Sequence, residues 1–324
     1  MNVYTMLADA IRRRKDEIAV SYGKNSLTYS EFDRTCAALG EWLAGQGCAR
    51  GDRVLLFLKN GFEFPLLLMA VMRAGLVVVP TNAKLHPREV AWIAGDAGPK
   101  LIFTHREHVE ALEASLEGED RPRITAIEDF AMPAPLSHAP VATEVDPDDP
   151  AWIFYTSGTT GKPKGATLSH RNLIAASVNC LADVFAFHES DRVLHVAPLS
   201  HGSGLYLIPS LARGARNLVY DRPSFRPDEV FDTIAREGIT AIAFVAPTMI
   251  VRFLEAAPRD DIGALRGVIY GGATVHLEHI RAAVARFGPI FHQLYGQGEA
   301  PMTISYLPGA AHLGVDVGVV PHVE

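Results

Sequence analysis

Tyr155 to Gly165 reads YTSGTTGKPKG and gathers three glycines, four Ser or Thr hydroxyls and two lysines into one short segment. Glycines let a backbone bend and turn its N–H groups toward an anion, hydroxyls add short donors, and lysines bring charge. Such a mixture suits a cradle for a polyphosphate. The apolar run Ala151-Trp152-Ile153-Phe154 reads as a buried strand before it, and Asn172 to Ala182 reads as a helix after it. The segment therefore sits between a strand and a helix. A Walker A loop needs Ser or Thr directly after Gly-Lys to hold magnesium, whereas Gly161-Lys162 is followed by Pro163, so this phosphate loop is of another kind.

Two further glycine-rich turns follow apolar runs. Val268-Ile269-Tyr270 leads into Gly271-Gly272-Ala273, and a run ending at Tyr295 leads into Gly296-Gln297-Gly298-Glu299. Small residues at the carboxyl ends of strands leave room for a nucleotide crevice. The histidines of His276-Leu277-Glu278-His279 do not make a zinc signature of the HExxH type, because Glu278 follows Leu277 and not the first histidine. They read as an exposed helical face. Glu117 to Asp120 reads as a solvated turn.

The three glycine-rich segments together resemble the signatures of the adenylate-forming enzymes, which include acyl-CoA synthetases, the adenylation domains of peptide synthetases, and luciferases. Leu27-Thr28-Tyr29, Gly51-Asp52-Arg53-Val54 and the stretch from Asn60 through Glu63 to Pro80 are similar to the amino-terminal part of that family, so the likeness covers nearly the whole chain. It implies activation of a carboxylic acid by ATP with Mg2+ to an acyl-AMP, followed by transfer to coenzyme A. Thr156 and Glu299 would bring the metal to the phosphates. ATP would lie against Thr156, Ser157, Gly158, Thr159, Thr160, Gly161 and Lys164, against Gly271, Gly272 and Ala273, and against Tyr295, Gly296, Gln297 and Gly298, with the Tyr295 ring on the adenine.

The same resemblance assigns Ala197 to Gly204, with His201 at its entrance, and Phe244 to Thr248 to the acyl site. His201, Gly204, Phe244, Val245, Gly271 and Met302 are the residues expected against the acid. His201 is counted with Thr156 and Glu299 in the reacting centre, where it gates or shapes the pocket; a carboxylate is already deprotonated at neutral pH and needs no general base. The linings carry few charges, so an uncharged tail is expected, and fatty and aromatic acids both fit. One position departs from the family: Gly298 stands where a threonine is usual. The acceptor is left open between coenzyme A and the phosphopantetheine arm of a carrier protein, and a nucleotide-binding homologue without catalysis is a third reading.

Composition sets the outer bounds. At 324 residues with 48% hydrophobic content, the chain can bury one sizeable core or two linked ones. A formal charge of −7 gives no basic footprint for nucleic acid. Cys36, Cys48 and Cys180 are odd in number and far apart, matching neither a zinc cluster nor a disulfide framework, so a cytoplasmic setting is expected. The basic Arg12-Arg13-Arg14-Lys15 is followed by Asp16-Glu17 instead of an apolar stretch, and Pro65 to Met72 is too short to span a bilayer. A homodimer is left open.

Helical spacing of Phe32, Cys36, Leu39 and Leu43 predicts a helix with Ser30 as its N-cap, and short apolar runs alternate with helical patterns from there on. The fold class predicted is α/β with mostly parallel sheets. Pro, Ala, Asp and His dominate Met132 to Pro150, which reads as a linker or surface excursion between a first lobe, 1–145, and a second lobe, 146–324. The family likeness implies a two-lobed layered αβαβα body, truncated before its β-barrel is complete and lacking a carboxyl-terminal lid whose lysine reaches the α-phosphate. A fragment impaired in adenylation is the expectation, with a tail from Val315 onward that is poorly ordered or paired with a neighbour.

Overall fold

The computed structural model describes residues 1–118, 121–156, 162–222, 224–256 and 262–313. A 3-10 turn, Val3–Leu7, leads into α1 (Ala8–Arg13). The hairpin of β1 (Ile18–Tyr22) and β2 (Asn25–Thr28) precedes α2 (Tyr29–Gly45), β3 (Arg53–Phe57), α3 (Glu63–Arg73) and β4 (Val77–Pro80). Then come α4 (Pro87–Ala97), β5 (Pro99–Thr104), α5 (Arg106–Ser115) and β6 (Arg123–Ala126). Beyond an extended stretch lie β7 (Pro150–Thr156), β8 (Lys164–Ser169), α6 (His170–Asn179), β9 (Arg192–His195), α7 (Gly202–Leu205) and α8 (Leu207–Ala212). The chain continues through β10 (Arg216–Val219), α9 (Pro227–Glu237), β11 (Ala241–Val245), α10 (Pro247–Glu255), β12 (Gly267–Tyr270), α11 (Leu277–Phe287), β13 (Phe291–Tyr295) and β14 (Ser305–Leu307).

Local chemistry sets most boundaries. The cap of α2 is Thr28, two residues before the expected Ser30. Its Oγ1 accepts from the Glu31 N–H at 3.2 Å, and the Glu31 carboxylate accepts from the Thr28 N–H at 2.9 Å, a reciprocal arrangement that Ser30 does not make. A similar box between Ser169 and Asn172 starts α6 at His170, earlier than the periodicity suggests, and a π-turn at Cys180–Val184 ends it. Pro227 and Pro247 open α9 and α10, where a missing N–H costs nothing.

The strands make two mixed sheets. The six-stranded sheet runs β6-β5-β3-β4-β7-β8, and the eight-stranded sheet runs β14-β13-β12-β11-β9-β10-β1-β2. Both are parallel inside, and the antiparallel pairs β7-β8, β1-β2 and β13-β14 lie at their edges. Central strands such as β4 are apolar on both sides, as the buried Val77, Val78 and Val79 show, because helices cover both faces.

Five layers result. The largest core joins α2, α3, α6 and α8 to the inner faces of both sheets, through residues such as Phe32, Met69, Trp152, Tyr206 and Ile269. A second core packs α9, α10 and α11 on the outer face of the eight-stranded sheet, and a third packs α4 and α5 on the outer face of the six-stranded one. The arrangement is the αβαβα layering expected, and among the described residues neither sheet closes into a barrel. The stretch from Val315 onward lies outside the described residues.

The two sheets interleave along the chain. Strands β1 and β2 join the eight-stranded sheet beside β10, and β7 and β8 join the six-stranded sheet beside β4, so hydrogen bonding does not divide at residue 145. The Pro-rich stretch between β6 and β7 is docked as a strap. Arg73 donates to the Pro140 carbonyl, the Thr143 N–H donates to the Arg73 carbonyl at 3.0 Å, and Asn2 Nδ2 donates to the carbonyls of Met72, Arg73 and Thr143.

Candidate functional site

The parallel strands β9, β11, β12 and β13 end on one edge of the larger sheet, and β7 brings the carboxyl end of the smaller sheet toward it. Strand alternation sorts the residues of β7. Tyr155 points to the outer face, where its hydroxyl donates to Asp96 Oδ2 at 2.6 Å; burial first, and then the Asp96 carboxylate, raise its pKa well above the usual range. Thr156 and Phe154 point the other way. Ser157, Gly158, Thr159, Thr160 and Gly161 lie outside the described residues; Lys164, paired with Thr156 in the hairpin register, is exposed.

Gly298 brings the second signature onto the first. A methyl group on its Cα would lie 2.7 Å from Thr156 Cγ2 and 3.0 Å from the Phe154 ring, so backbone and side chain touch where most residues would collide. Glu299 follows and is exposed. Thr156 and Gly298, separated by more than a hundred residues of sequence, are thus held beside one another, and Glu299 is the next residue along the chain. Gly298 is a fitted glycine, and the usual threonine has no room here without a shift of Thr156.

The turn after β13 is tight. Gln297 and Ala300 exchange backbone hydrogen bonds at 3.2 Å, and a methyl on Gly296 would lie 2.6 Å from the Met302 nitrogen. Met302 is 4% exposed and takes a left-handed backbone with φ of 64°. The Tyr295 ring stands 52% exposed, its hydroxyl accepting from Gln297 Nε2 at 2.9 Å. A half-open aromatic face at a strand end can take a flat heteroaromatic ring. Gly271 runs so close to β13 that a methyl there would lie 2.5 Å from the Leu294 carbonyl oxygen, while Gly272 has φ of 79° and Ala273 is exposed.

On the acyl side, the His201 ring stands edge-on to Phe154 with centroids 6.0 Å apart, and its Nδ1 lies 3.0 Å from Ser200 Oγ. Burial lowers its pKa, which keeps the imidazole neutral at pH 7. Phe244 takes a left-handed backbone with φ of 74°. Non-glycine residues held there cost about 1–3 kcal/mol each, so Phe244 and Met302 mark places where surrounding structure enforces a conformation.

Two of the expected acyl residues face elsewhere. Val245 is buried in the outer core with Ile242 and Val268, behind the sheet. Gly204 is buried, and a methyl there would lie 1.9 Å from the Leu199 carbonyl oxygen, so it serves the turn that presents His201.

Sequence reasoning missed a buried polar chain beneath that turn. His195 Nε2 lies 2.9 Å from Asn217 Oδ1, His195 Nδ1 lies 3.0 Å from Ser203 Oγ, and Ser203 Oγ donates to the Ala243 carbonyl at 2.9 Å. Asn217 Nδ2 donates to the Ala215 carbonyl, which turns Oδ1 toward the histidine. Desolvation lowers the His195 pKa to about 4. The chain bolts β9 and β10 to the turns carrying His201 and Phe244. Its signal was two polar residues, His195 and Asn217, inside apolar strands.

A broad groove of about 1630 Å3 lies elsewhere, on α4 and α5, lined by residues including Arg53, Arg88, Trp92 and Arg123. Cavity size and motif convergence therefore disagree. The groove includes Asp96, which accepts from Tyr155 on the face of β7 opposite Thr156.

The fold is a layered α/β one with glycine-rich turns at the carboxyl ends of its parallel strands. Residues 7–324 match the AMP-binding enzyme family, and the chain belongs to it. It is 32% identical over 305 residues to feruloyl-CoA synthase of Amycolatopsis sp, covering 93% of this chain and 60% of that protein. It is 28% identical over 284 residues to surfactin synthase subunit 3 of Bacillus subtilis (strain 168), covering 87% of this chain and 22% of that one. ATP-bound MatB from Rhodopseudomonas palustris superposes with a TM-score of 0.82 at 27% identity, over 95% of this chain and 62% of MatB. The inhibitor-bound N-terminal domain of FACL13 from Mycobacterium tuberculosis gives 0.84 at 24% identity, over 97% of this chain and 80% of that domain, a likeness of fold. The chain spans about 60% of the length of the first of these relatives.

Proposed function

We propose that the chain activates an organic carboxylic acid with ATP, forming acyl-AMP and pyrophosphate, and that coenzyme A then takes the acyl group. The observation that supports this is the close approach of Gly298 to Thr156, which brings the backbone just before Glu299 onto the strand end that carries Thr156. Among the described residues no three His, Cys, Asp or Glu side chains cluster as a metal cage. One carboxylate and one hydroxyl beside nucleotide phosphates are instead the hard-oxygen set that suits Mg2+. When bound there, Mg2+ would supply neutralisation of phosphate charge.

The chain's own residues carry the rest. Both reactants are anions, so alignment and charge shielding dominate. The carboxylate oxygen attacks the α-phosphorus, and the α–β bridging oxygen leaves with pyrophosphate. The thiol sulfur then attacks the acyl carbon, AMP leaves with the anhydride oxygen, and the thiol proton passes to solvent. Tyr295 offers a ring for the adenine, Gly271 and Gly272 let backbone approach it, and neutral His201 beside Phe154 shapes the entrance for the acid. Three buried cysteines without disulfides support a reducing, cytoplasmic setting.

Likeness to a subunit of surfactin synthase supports a second reading, in which the acceptor is the phosphopantetheine arm of a carrier protein. The test titrates the chain with Mg·ATP, then measures carboxylate-dependent pyrophosphate exchange with aliphatic and aromatic acids. Acceptors are compared by offering free coenzyme A and a carrier protein. Binding of Mg·ATP that Glu299→Gln weakens, and exchange that it slows about 10²-fold or more, are expected. Absence of Mg·ATP binding, or binding indifferent to Glu299→Gln, overturns the proposal.

A further inference from the structure

Side chains along a strand alternate between faces. In β11, Ile242 packs in the outer core and Ala243 in the central one, so regular alternation would return residue 244 to the outer core. Phe244 instead packs against the central cluster and Val245 takes the outer position, and the register with β12 slips between Ile242 and Val245. A single left-handed residue, φ 74°, turns an aromatic ring out of the back of the sheet and over the site.

Two glycines adjoin it there. A methyl on Gly202 would lie 3.1 Å from the ring, and a methyl on Gly272 would lie 3.1 Å from its tip. The ring therefore fills the space between the turn that carries His201 and the turn after β12. Contacts run from Gly298 to Phe154, from Phe154 to His201, and from Gly202, the residue after His201, to Phe244, so the ring is linked to the Thr156 end of β7 by successive neighbours. The backbone cannot easily unwind the bulge, because Ser203 Oγ holds the Ala243 carbonyl at 2.9 Å.

We infer that Phe244 sets the length of acid the chain accepts, closing the acyl site so that it takes short, compact carboxylic acids and turns away long-chain ones. The inference rests on the adenylation reading above and names the substrate class of that same site. An aromatic ring in a packed slot cannot be displaced by a few added methylenes without losing its contacts.

The experiment titrates the chain with non-hydrolysable acyl-adenylate mimics, the acetyl, butanoyl, hexanoyl and octanoyl sulfamoyl-adenosines, with Mg·ATP as a separate ligand. Affinity should fall about tenfold or more per step once the acyl chain reaches the ring. In Phe244→Ala, and in Phe244→Gly whose backbone suits the positive φ, octanoyl affinity should rise about tenfold or more and the decline with length should flatten. A wild-type profile that is flat from acetyl to octanoyl overturns the inference, and decides the matter alone if the variants fail to fold. So does an unchanged profile in variants that still bind Mg·ATP. Failure of the wild type to bind Mg·ATP and every mimic overturns the adenylation reading and this inference with it; binding of Mg·ATP with a flat profile overturns only the inference.

Discussion

Gly298 shows how much one absent methyl group decides. Its Cα is pressed onto Thr156 and Phe154, with the nearest contact for an added carbon at 2.7 Å. Gly298→Ala should destabilise the protein by about 1–3 kcal/mol through overpacking, read as a lowered midpoint in thermal or urea unfolding. Thr156→Ser removes the opposing Cγ2, so it should recover much of that loss in the double variant; strictly additive effects would refute the contact. The glycine-rich turns near Thr156 and Tyr295 were conspicuous in the sequence, because few structural needs gather such residues, and the fold does bring Gly298 against Thr156. The outward turn of Phe244 and the burial of Val245 were not conspicuous in the sequence, since a period of two cannot foresee one residue with positive φ.

The elements were legible in the same uneven way. The alternation of short apolar runs with helical patterns is realised in elements such as Ala241–Val245 and Leu277–Phe287, because a buried strand and an amphipathic helix each write their period into the sequence. The hairpin of β1 and β2 was not legible as sheet, since β2 lies at an edge and is half polar and exposed. The start of α2 was misplaced by two residues because Ser30 and Thr28 are both credible caps, and only hydrogen bonding chooses. Thr28→Ala should cost about 1 kcal/mol, whereas Ser30→Ala should cost a few tenths at most, measured by denaturant unfolding. Equal effects would contradict the capping box.

At the scale of the whole molecule, the buried His170 and His195 and the half-buried His292 make stability depend on acid. Desolvation lowers His170, His195 and His292 to about 4. Each binds its proton less readily folded than unfolded, so the unfolded state gains protons first as pH falls. Their contribution is complete above the unfolded value of about 6.5, declines as pH drops toward about 4, and levels below it. Unfolding free energy should fall across that window, and His195→Gln should flatten part of the slope; a pH-independent midpoint between those limits would count against the burial described. The exchange of strands between sheets has a mechanical result. Neither half of the polypeptide contains all the strands of its own sheet, so the layers must melt as one cooperative unit, and a protease that severs the strap near Val141, 91% exposed, should leave two peptides that travel together until denaturant parts them.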